Sequence, residues 1–425
     1  MRNLLFLAVS SLALAACGMQ GQDNADAETS ANVGNDQDLG YEAYGDDNLA
    51  DAMASNDAAY GKGDAIAGDD DAIPDSEERP IMQAQVVLDR RGFGPGVIDG
   101  KMGMSTENAL RGFQEANSLE VTGELDEATK AALAEWEHIP ATRVVTIPKS
   151  WASQKYFAMP DDPADQAEME NLGYESLDEK LAERFHTTVE VLQQLNPGGR
   201  PAGMATDPDA NDETKPSGTE TPETSSTPQK SDSRSDSEFE PEEGPDSIFS
   251  ASQQIRVPNI GGDRIAPGSL DDQNWQRTLV SLGVGSEQPQ VDRIVVSKAG
   301  KTLKAYQDEK LVALFTVSSG SSRFPLPIGE WDILGEAYNP PYSYDPEVLG
   351  KNDSDGETYK LPAGPNSPVG VVWIDLSKEH YGIHGTPDPE TIGRAQSSGC
   401  VRLTNWDAAR LAQMVSQSTE VIFEE

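Results

Sequence analysis

The string at 381–403, YGIHGTPDPETIGRAQSSGCVRL, brings a histidine close to a cysteine in the sequence. Cysteine chemistry needs a thiolate, a base that takes and returns its proton, and backbone dipoles aimed at the developing oxyanion. We therefore predict that Cys400 is a nucleophile and that His384 is its base. Small residues flank both side chains: the amides of Gly399 and Cys400 could hold an oxyanion, and Gly385 would leave space for a substrate.

Cys400 has no obvious disulfide partner, since the chain contains only one other cysteine, Cys17. That second cysteine ends the N-terminal sequence MRNLLFLAVSSLALAAC, in which a basic residue precedes an apolar run. The run is shorter than the roughly 20 residues that cross a bilayer as a helix, so it predicts a secretory signal. Exported thiols tend to be paired. An unpaired Cys400 is then either a small buried hydrophobe or a residue kept for its reactivity.

The residues before Cys17, Leu-Ala-Ala, resemble the lipobox of bacterial lipoproteins. The resemblance implies a signal peptide at 1–17 and a diacylated Cys17, because cleavage before that cysteine exposes it for lipidation. Several acyl chains on one residue anchor a protein stably. Gly18 follows, and not the Asp that resembles an inner-membrane retention signal, so we expect a periplasmic protein on the outer membrane. Simple secretion with a chance cysteine is the alternative.

Length and charge limit the class of protein. A chain of 425 residues suggests two to four modules, and its formal net charge of −41 argues against binding nucleic acid or anionic lipid headgroups directly. Two acidic segments lack aliphatic clusters and cannot offset the entropy of ordering the chain. We predict that 18–79 is a disordered tether and that 201–250 is a disordered insertion.

Residues 80–138 show three stretches of helical periodicity, with Ser105 and Asp126 at candidate N-caps. Periodicity predicts a three-helix unit without a catalytic constellation. The pattern of residues resembles that of the peptidoglycan-binding domain type 1, which implies binding to the cell-wall glycan or its peptides. The matching residues are Gln85, Leu88, Gly92, Pro95, Gly96, Asp99, Gly100, Gly103, Thr106, Ala109, Leu110, Phe113, Gln114, Leu119, Gly123, Thr129 and Leu133.

Residues 143–260 resemble a LysM module, a βααβ unit, interrupted by the acidic insertion. Two short helices are predicted within 174–198, an opening strand near 144–147 and a closing strand at 253–260. The GDTL motif that is usual in LysM modules is absent. Glycan binding and a purely structural role both remain open for this module.

The C-terminal segment, 290–425, changes to the period of two that is typical of strands. The meander that begins near residue 292 is followed by further predicted strands at 329–334, 369–376 and 421–423. One late helix is predicted at 407–416. The expected fold of the segment is a mainly-β sandwich or half-open barrel.

The combined string HGT…SSGCVRL closely resembles the signature of the YkuD-type L,D-transpeptidase catalytic domain. The resemblance implies that Cys400 is the nucleophile, that His384 is the proton donor and acceptor, and that Gly399 belongs to the oxyanion site. Arg402 would meet substrate carboxylates. The predicted oxyanion and substrate contacts are Gly385, Ser397, Ser398, Gly399 and Arg402.

Each of these residues also has an ordinary structural interpretation. Arg402 could form a surface ion pair, and Ser397 could be a turn residue. His380 and His384 are four residues apart, but a strand separates such residues by about 13 Å and no helical HExxH arrangement is present. We therefore predict no metal and no cofactor.

The resemblance implies attack on the bond between the third residue, diaminopimelate, and D-Ala of a peptidoglycan stem peptide, with a thioester on Cys400. The acyl group would pass to an amine, which gives 3-3 cross-links, or to water, which makes the enzyme an L,D-carboxypeptidase. The alternative is a noncatalytic lipoprotein that links the outer membrane to peptidoglycan. The expected partners are peptidoglycan and, through Cys17, the membrane.

Overall fold

The computed structural model describes residues 73–204, 239–261, 270–346, 357–395, 397 and 399–425. Cys17, the signal peptide, Ser398 and most of both acidic segments lie outside these ranges. Among the helices inside them, none is long and apolar enough to cross a membrane.

The first part of the structure is a helical unit, as the sequence predicts. Its elements are α1 (Pro80–Arg90), β1 (Phe93–Gly94), α2 (Met104–Ala116) and α3 (Glu127–Leu133). Asp126 caps α3, because its carboxylate accepts the Thr129 N–H at 2.8 Å. The cap predicted at Ser105 is wrong: α2 already begins at Met104, and the capping position is Gly103, which forms no side-chain cap.

The middle part contains the predicted order of strand, two helices and strand, with two further short helices. Its elements are β2 (Thr142–Thr146), α4 (Lys149–Ser153), α5 (Pro163–Ala167), α6 (Leu177–Arg184), α7 (Val189–Leu195) and β3 (Gln254–Pro258). β2 and β3 pair antiparallel, and Ser176 and Thr188 cap α6 and α7 with their hydroxyls. The relation of this part, which we call the middle module, to LysM stays a prediction.

Both acidic segments end in packed residues. Ile248 and Phe249 donate backbone N–H groups to the Asp178 carboxylate at 2.7 and 3.2 Å. Asp75 accepts hydrogen bonds from Arg79 and Thr142. The ordered structure therefore extends further into 18–79 and 201–250 than the composition indicates, because the Asp75 carboxylate and the backbone N–H groups of 248–249 find hydrogen-bond partners.

The C-terminal part is mainly β, as predicted, with two helices. Its elements are α8 (Gln273–Leu282), β4 (Arg293–Ser297), β5 (Thr302–Gln307), β6 (Lys310–Thr316), β7 (Ser318–Ser319), β8 (Gly329–Trp331), β9 (Ile333–Tyr338), β10 (Tyr342–Tyr344), β11 (Tyr359–Leu361), β12 (Val372–Leu376), β13 (Gly382–His384), β14 (Val401–Arg402), α9 (Asn405–Met414) and β15 (Glu420–Glu424). One sheet has the order β1-β6-β5-β4-β15-β8 and a second has β7-β14-β13-β12-β9. β10 and β11 form a separate hairpin.

The largest hydrophobic core includes inward-facing residues of both large sheets. Strand β12 shows how the sequence directs its side chains: Val372, Ile374 and Leu376 are buried, while Trp373 and Asp375 point to the opposite face and are half-buried. Successive side chains of a strand alternate between faces. The outward face of the second sheet is therefore available for the site described below.

The helical unit is joined directly to the C-terminal part. β1 pairs in parallel with β6, with Phe93 opposite Leu314. A Cβ on Gly112 would lie 2.9 Å from Leu314 Cβ, so α2 approaches β6 as closely as it does because that position is glycine. Arg410 of α9 forms a two-pronged ion pair with the buried Asp89 of α1, at 2.9 and 2.8 Å.

Candidate active site

Two neighbouring strands bring Cys400 and His384 together. β13 ends at His384, and β14 begins directly after Cys400. The strands are parallel, with His384 opposite Arg402, and the Leu403 N–H donates to the His384 carbonyl at 2.9 Å. Because side chains two residues apart share a face, Cys400 and Arg402 lie on the same side of the sheet as His384.

The His384 ring is buried and has a defined orientation. Its Nδ1 lies 2.7 Å from the carbonyl oxygen of Gly385. A carbonyl only accepts hydrogen bonds, so Nδ1 bears the proton and Nε2 is left as the basic nitrogen. Burial lowers the pKa of His384 to about 4; the bond to Gly385 opposes this shift and the charge of Arg402 adds to it. The resting imidazole is therefore neutral.

Cys400 is half-buried, and its Sγ lies 3.7 Å from the His380 carbonyl oxygen. Burial raises the pKa of the Cys400 thiol, although the Gly382 N–H, the charge of Arg402 and its own N–H all favour the thiolate. With a neutral His384, the same face of the sheet carries a thiol and a neutral imidazole. Such a pair can act by general-base activation, in which the imidazole takes the proton of the thiol.

Ser397 is predicted to contact substrate. In the structure its hydroxyl forms three hydrogen bonds within the protein. The buried hydroxyl donates to the Cys400 carbonyl at 2.6 Å and accepts the N–H groups of Gly320 at 2.7 Å and Gly399 at 3.2 Å. It thereby fixes the turn before the cysteine. The Gly399 amide is occupied by this hydroxyl, and the Cys400 amide is the N–H beside the sulfur that remains as a candidate oxyanion donor.

The two glycines of the motif are required by close contacts. Gly399 has a φ of 112°, and a Cβ there would lie 2.6 Å from the ring of Tyr381. Gly385 is predicted to leave space for substrate, but the side chain of Asn405 fills that space, and a Cβ on Gly385 would collide with its Oδ1. The contribution of Gly385 is its carbonyl, which orients His384.

Arg402 is half-buried and adjacent to the thiol. Asp388 and the Cys400 thiolate both favour its charged form, while burial lowers its pKa. His380 is exposed, and its Nε2 lies 3.5 Å from Glu379 Oε1. Within the described ranges, no three histidine, cysteine or acidic side chains cluster as metal ligands would.

Three aromatic or amide side chains at the site were not singled out from the sequence. Trp373 stacks on His384, with ring centroids 5.5 Å apart and planes at 19°. Tyr342 lies on the β10–β11 hairpin, where burial and the charge of Cys400 raise its pKa to about 12. Asn405 packs behind Gly385. Only Trp373 has a sequence signal, because a tryptophan at an outward position of the apolar strand VVWIDL is unexpected.

Comparisons with known proteins identify two domains in this chain. Residues 291–423 match the family described as "L,D-transpeptidase catalytic domain", and residues 78–133 match "Putative peptidoglycan binding domain". The "Putative L,D-transpeptidase YkuD" of Bacillus licheniformis is 30% identical over 39% of this chain and 79% of its own length. The chain belongs to the YkuD L,D-transpeptidase family.

Other relatives are more distant or cover less. The protein of the same name from Bacillus subtilis is 32% identical over 30% of this chain and 63% of its own length. A solved L,D-transpeptidase from Mycobacterium smegmatis is 24% identical, covers 34% of this chain and 61% of its own length, and has a TM-score of 0.27. The chain therefore covers less than two thirds of the length of these two relatives.

Proposed function

We propose that the protein is an L,D-transpeptidase that acts on peptidoglycan stem peptides through Cys400. The observation that supports this most is the His384–Gly385 bond, because it leaves the basic Nε2 of a neutral imidazole on the face that also presents the thiol. A noncatalytic protein has no need for a buried histidine in this state. The peptidoglycan-binding domain match supports cell-wall peptides as the substrate class.

In the proposed first half-reaction, the Cys400 sulfur attacks the carbonyl between the third residue and D-Ala, and its proton passes to His384 Nε2. The tetrahedral oxyanion receives a hydrogen bond from the Cys400 N–H. The C–N bond then breaks, the amine of D-Ala takes the proton from His384, and a thioester remains on the sulfur. Arg402 would pair with a carboxylate of the substrate.

In the second half-reaction, an acceptor amine attacks the thioester carbonyl and gives a proton to His384. The C–S bond breaks and the proton returns to the sulfur, which restores the resting thiol. If the acceptor is an amine of a neighbouring stem peptide, the product is a 3-3 cross-link. If the acceptor is water, the thioester is hydrolysed and the enzyme acts as an L,D-carboxypeptidase. Mass spectrometry of muropeptides from a deletion strain would identify the acceptor, since the two products differ in mass.

The central experiment incubates the full chain with a muropeptide tetrapeptide, or with a carbapenem, and follows intact mass. We expect D-Ala release and an acyl adduct located on Cys400. Cys400→Ala should abolish both reactions, and Cys400→Ser should also fail because a hydroxyl has a pKa far above that of a thiol. Full D-Ala release by Cys400→Ala, or an adduct on another residue, would contradict the assignment.

We further propose that lipidated Cys17 anchors the enzyme to the periplasmic face of the outer membrane. The LAAC string supports this, and the predicted tether at 18–79 would, as a flexible chain of about 60 residues, reach roughly 45 Å. Cys17→Ala should release the protein from membranes without changing the purified enzyme's activity. Retention of that variant in a detergent-extractable membrane fraction would count against lipidation.

A further inference from the structure

Asn405 occupies a confined position directly behind the catalytic loop. It is the first residue of α9 and is fully buried. Its Oδ1 accepts the Val371 N–H at 3.3 Å and fills the gap between two glycines, Gly370 and Gly385, where a Cβ on either would collide with it. Asn405 therefore sets how far the backbone of Gly385 can move toward the interior.

Gly385 is the residue whose carbonyl fixes the His384 ring. The Nδ1–O distance is 2.7 Å, and the two residues are adjacent in the chain. A displacement of Gly385 would move the acceptor and weaken the bond that holds the proton on Nδ1. Without that bond the imidazole can rotate or exchange tautomers, and Nε2 would no longer be held as the base.

The other end of the Asn405 side chain reaches outside the catalytic domain. Its Nδ2 donates to Glu183 Oε1 at 2.8 Å and to the Pro365 carbonyl at 3.1 Å. Glu183 belongs to α6 of the middle module and is itself buried. Burial raises the pKa of Glu183 to about 7, while Tyr174 and Asn405 lower it through hydrogen bonds and Glu179 raises it further.

We propose that Asn405 and Glu183 are positioning residues for His384, so that a carboxyl group of the middle module helps to hold the catalytic base in its reactive tautomer. The middle module then contributes to catalysis, whether or not it also binds glycan. This inference depends on the proposed role of His384 as the base in acyl transfer.

A matched control is available at the same boundary. Asn366 Nδ2 donates to Glu179 Oε1 and to the Gly173 carbonyl, both at 2.9 Å. Like Asn405, it links the catalytic domain to a middle-module carboxyl group through an amide. Among the described residues, its side chain forms no hydrogen bond with Gly385 or His384. If Asn405 only joins the two parts, loss of either amide should have similar consequences.

The first measurement is the tautomer of His384, read from its ¹⁵N chemical shifts in the full chain. The chain has four histidines, so the signal can be assigned by its loss in His384→Gln. We expect the wild type and Asn366→Ala to show one neutral tautomer with the proton on Nδ1. In Asn405→Ala the two nitrogen shifts should move toward each other as the tautomers exchange.

The second measurement is the rate of Cys400 alkylation by iodoacetamide, which needs no peptidoglycan substrate. Asn405→Ala and Glu183→Ala should slow alkylation about tenfold, a part of the roughly 10²–10⁴-fold that general acid–base catalysis contributes. Glu183→Gln keeps an oxygen that accepts from Asn405 Nδ2 and should restore most of the rate. In the acyl-transfer assay, the same variants should lower kcat and leave KM nearly constant.

The outcomes separate this inference from the proposed function. Circular dichroism first shows that each variant is folded. If tautomer and alkylation change as expected but no D-Ala is released by the wild type, the positioning role stands and the proposed activity fails. An unchanged tautomer in folded Asn405→Ala, or an equal loss in Asn366→Ala, overturns the positioning role.

Discussion

Two buried histidines of this chain each stack on a tryptophan but differ in their hydrogen bonds. His186 stacks on Trp406 with centroids 4.7 Å apart, and His384 stacks on Trp373 at 5.5 Å. Burial lowers the pKa of both rings. His186 has both nitrogens engaged: Nδ1 lies 3.2 Å from Asp89 Oδ1 and Nε2 lies 2.8 Å from the Leu282 carbonyl oxygen.

His384 has one such bond, to the Gly385 carbonyl, and the described residues provide no hydrogen-bond partner for its Nε2. A buried histidine with two partners holds elements together, whereas one with a single partner and a neighbouring thiol can move a proton. Burial and an aromatic stack are therefore common to both histidines, which differ in the number of ring nitrogens that already have a hydrogen-bond partner.

Exchanging each histidine for alanine gives the largest expected contrast. His384→Ala should lower acyl transfer by about 10²–10⁴-fold with folding intact, because the base is lost. His186→Ala should leave the rate of the folded protein unchanged and lower its stability by about 1–3 kcal/mol, since the Leu282 carbonyl loses its donor. Steady-state assays and urea titrations measure the two effects. A rate loss in folded His186→Ala equal to that of His384→Ala would remove the distinction.

The partner of His186 should matter even more for stability. Asp89 is fully buried; burial raises its pKa, but Arg410 and His186 outweigh that effect and hold the pKa well below its usual range. Asp89→Ala removes both hydrogen bonds that Arg410 donates between α1 and α9 and leaves the guanidinium with Asp407 at 3.7 Å, which should cost about 3–5 kcal/mol in urea titration. Glu107→Ala removes an exposed pair with Arg111 at 3.7 Å and should cost no more than about 1 kcal/mol.

Equal losses for Asp89→Ala and Glu107→Ala would show that burial does not strengthen the Asp89 pair. The helical unit would then be held to the catalytic sheet mainly by the β1–β6 pairing and the contacts of α2.

The pH dependence of acylation tests whether His384 rests as a neutral base. Its pKa is lowered to about 4, so the imidazole binds a proton only below that pH and then cannot accept one from the thiol. The rate of carbapenem acylation should stay nearly constant from pH 7 to 5 and fall tenfold per unit below about 4. An apparent pKa near 6.5 in this profile would mean that burial does not perturb the ring.

The sequence predicts reactive side chains but little of what orients them. The predicted roles of Cys400 and His384 rest on residue chemistry and spacing along the chain. Asn405 and Glu183 are 222 residues apart, and no periodicity links them. The helix α8 was missed although its signals are present: Asp272 caps its start, and Gly283 at its end has a φ of 71°. Local chemistry thus predicts elements and reactive residues, whereas partners across modules need the folded chain.

The smallest expected effect concerns the tryptophan beneath His384. The indole of Trp373 crosses over Gly382, where a Cβ would lie 2.5 Å from the ring, and its Nε1 donates to Asp375 at 3.2 Å. An aromatic pair contributes about 0.5–1.5 kcal/mol, so Trp373→Leu should lower kcat roughly two- to tenfold. Trp373→Phe keeps a stacked ring and should lose less than about threefold.

The control is Trp406→Phe, which changes the ring beneath His186 instead. Trp406 is fully buried in α9 and stacks on His186, so its exchange should lower the melting temperature and leave kcat of the folded protein unaltered. Steady-state rates with a muropeptide tetrapeptide, together with thermal melts of all three variants, measure both effects. An unchanged kcat in Trp373→Leu would show that the Gly385 carbonyl alone orients His384. Equal kcat losses in Trp373→Phe and Trp406→Phe would instead mean that both stacks act on the rate through the common core.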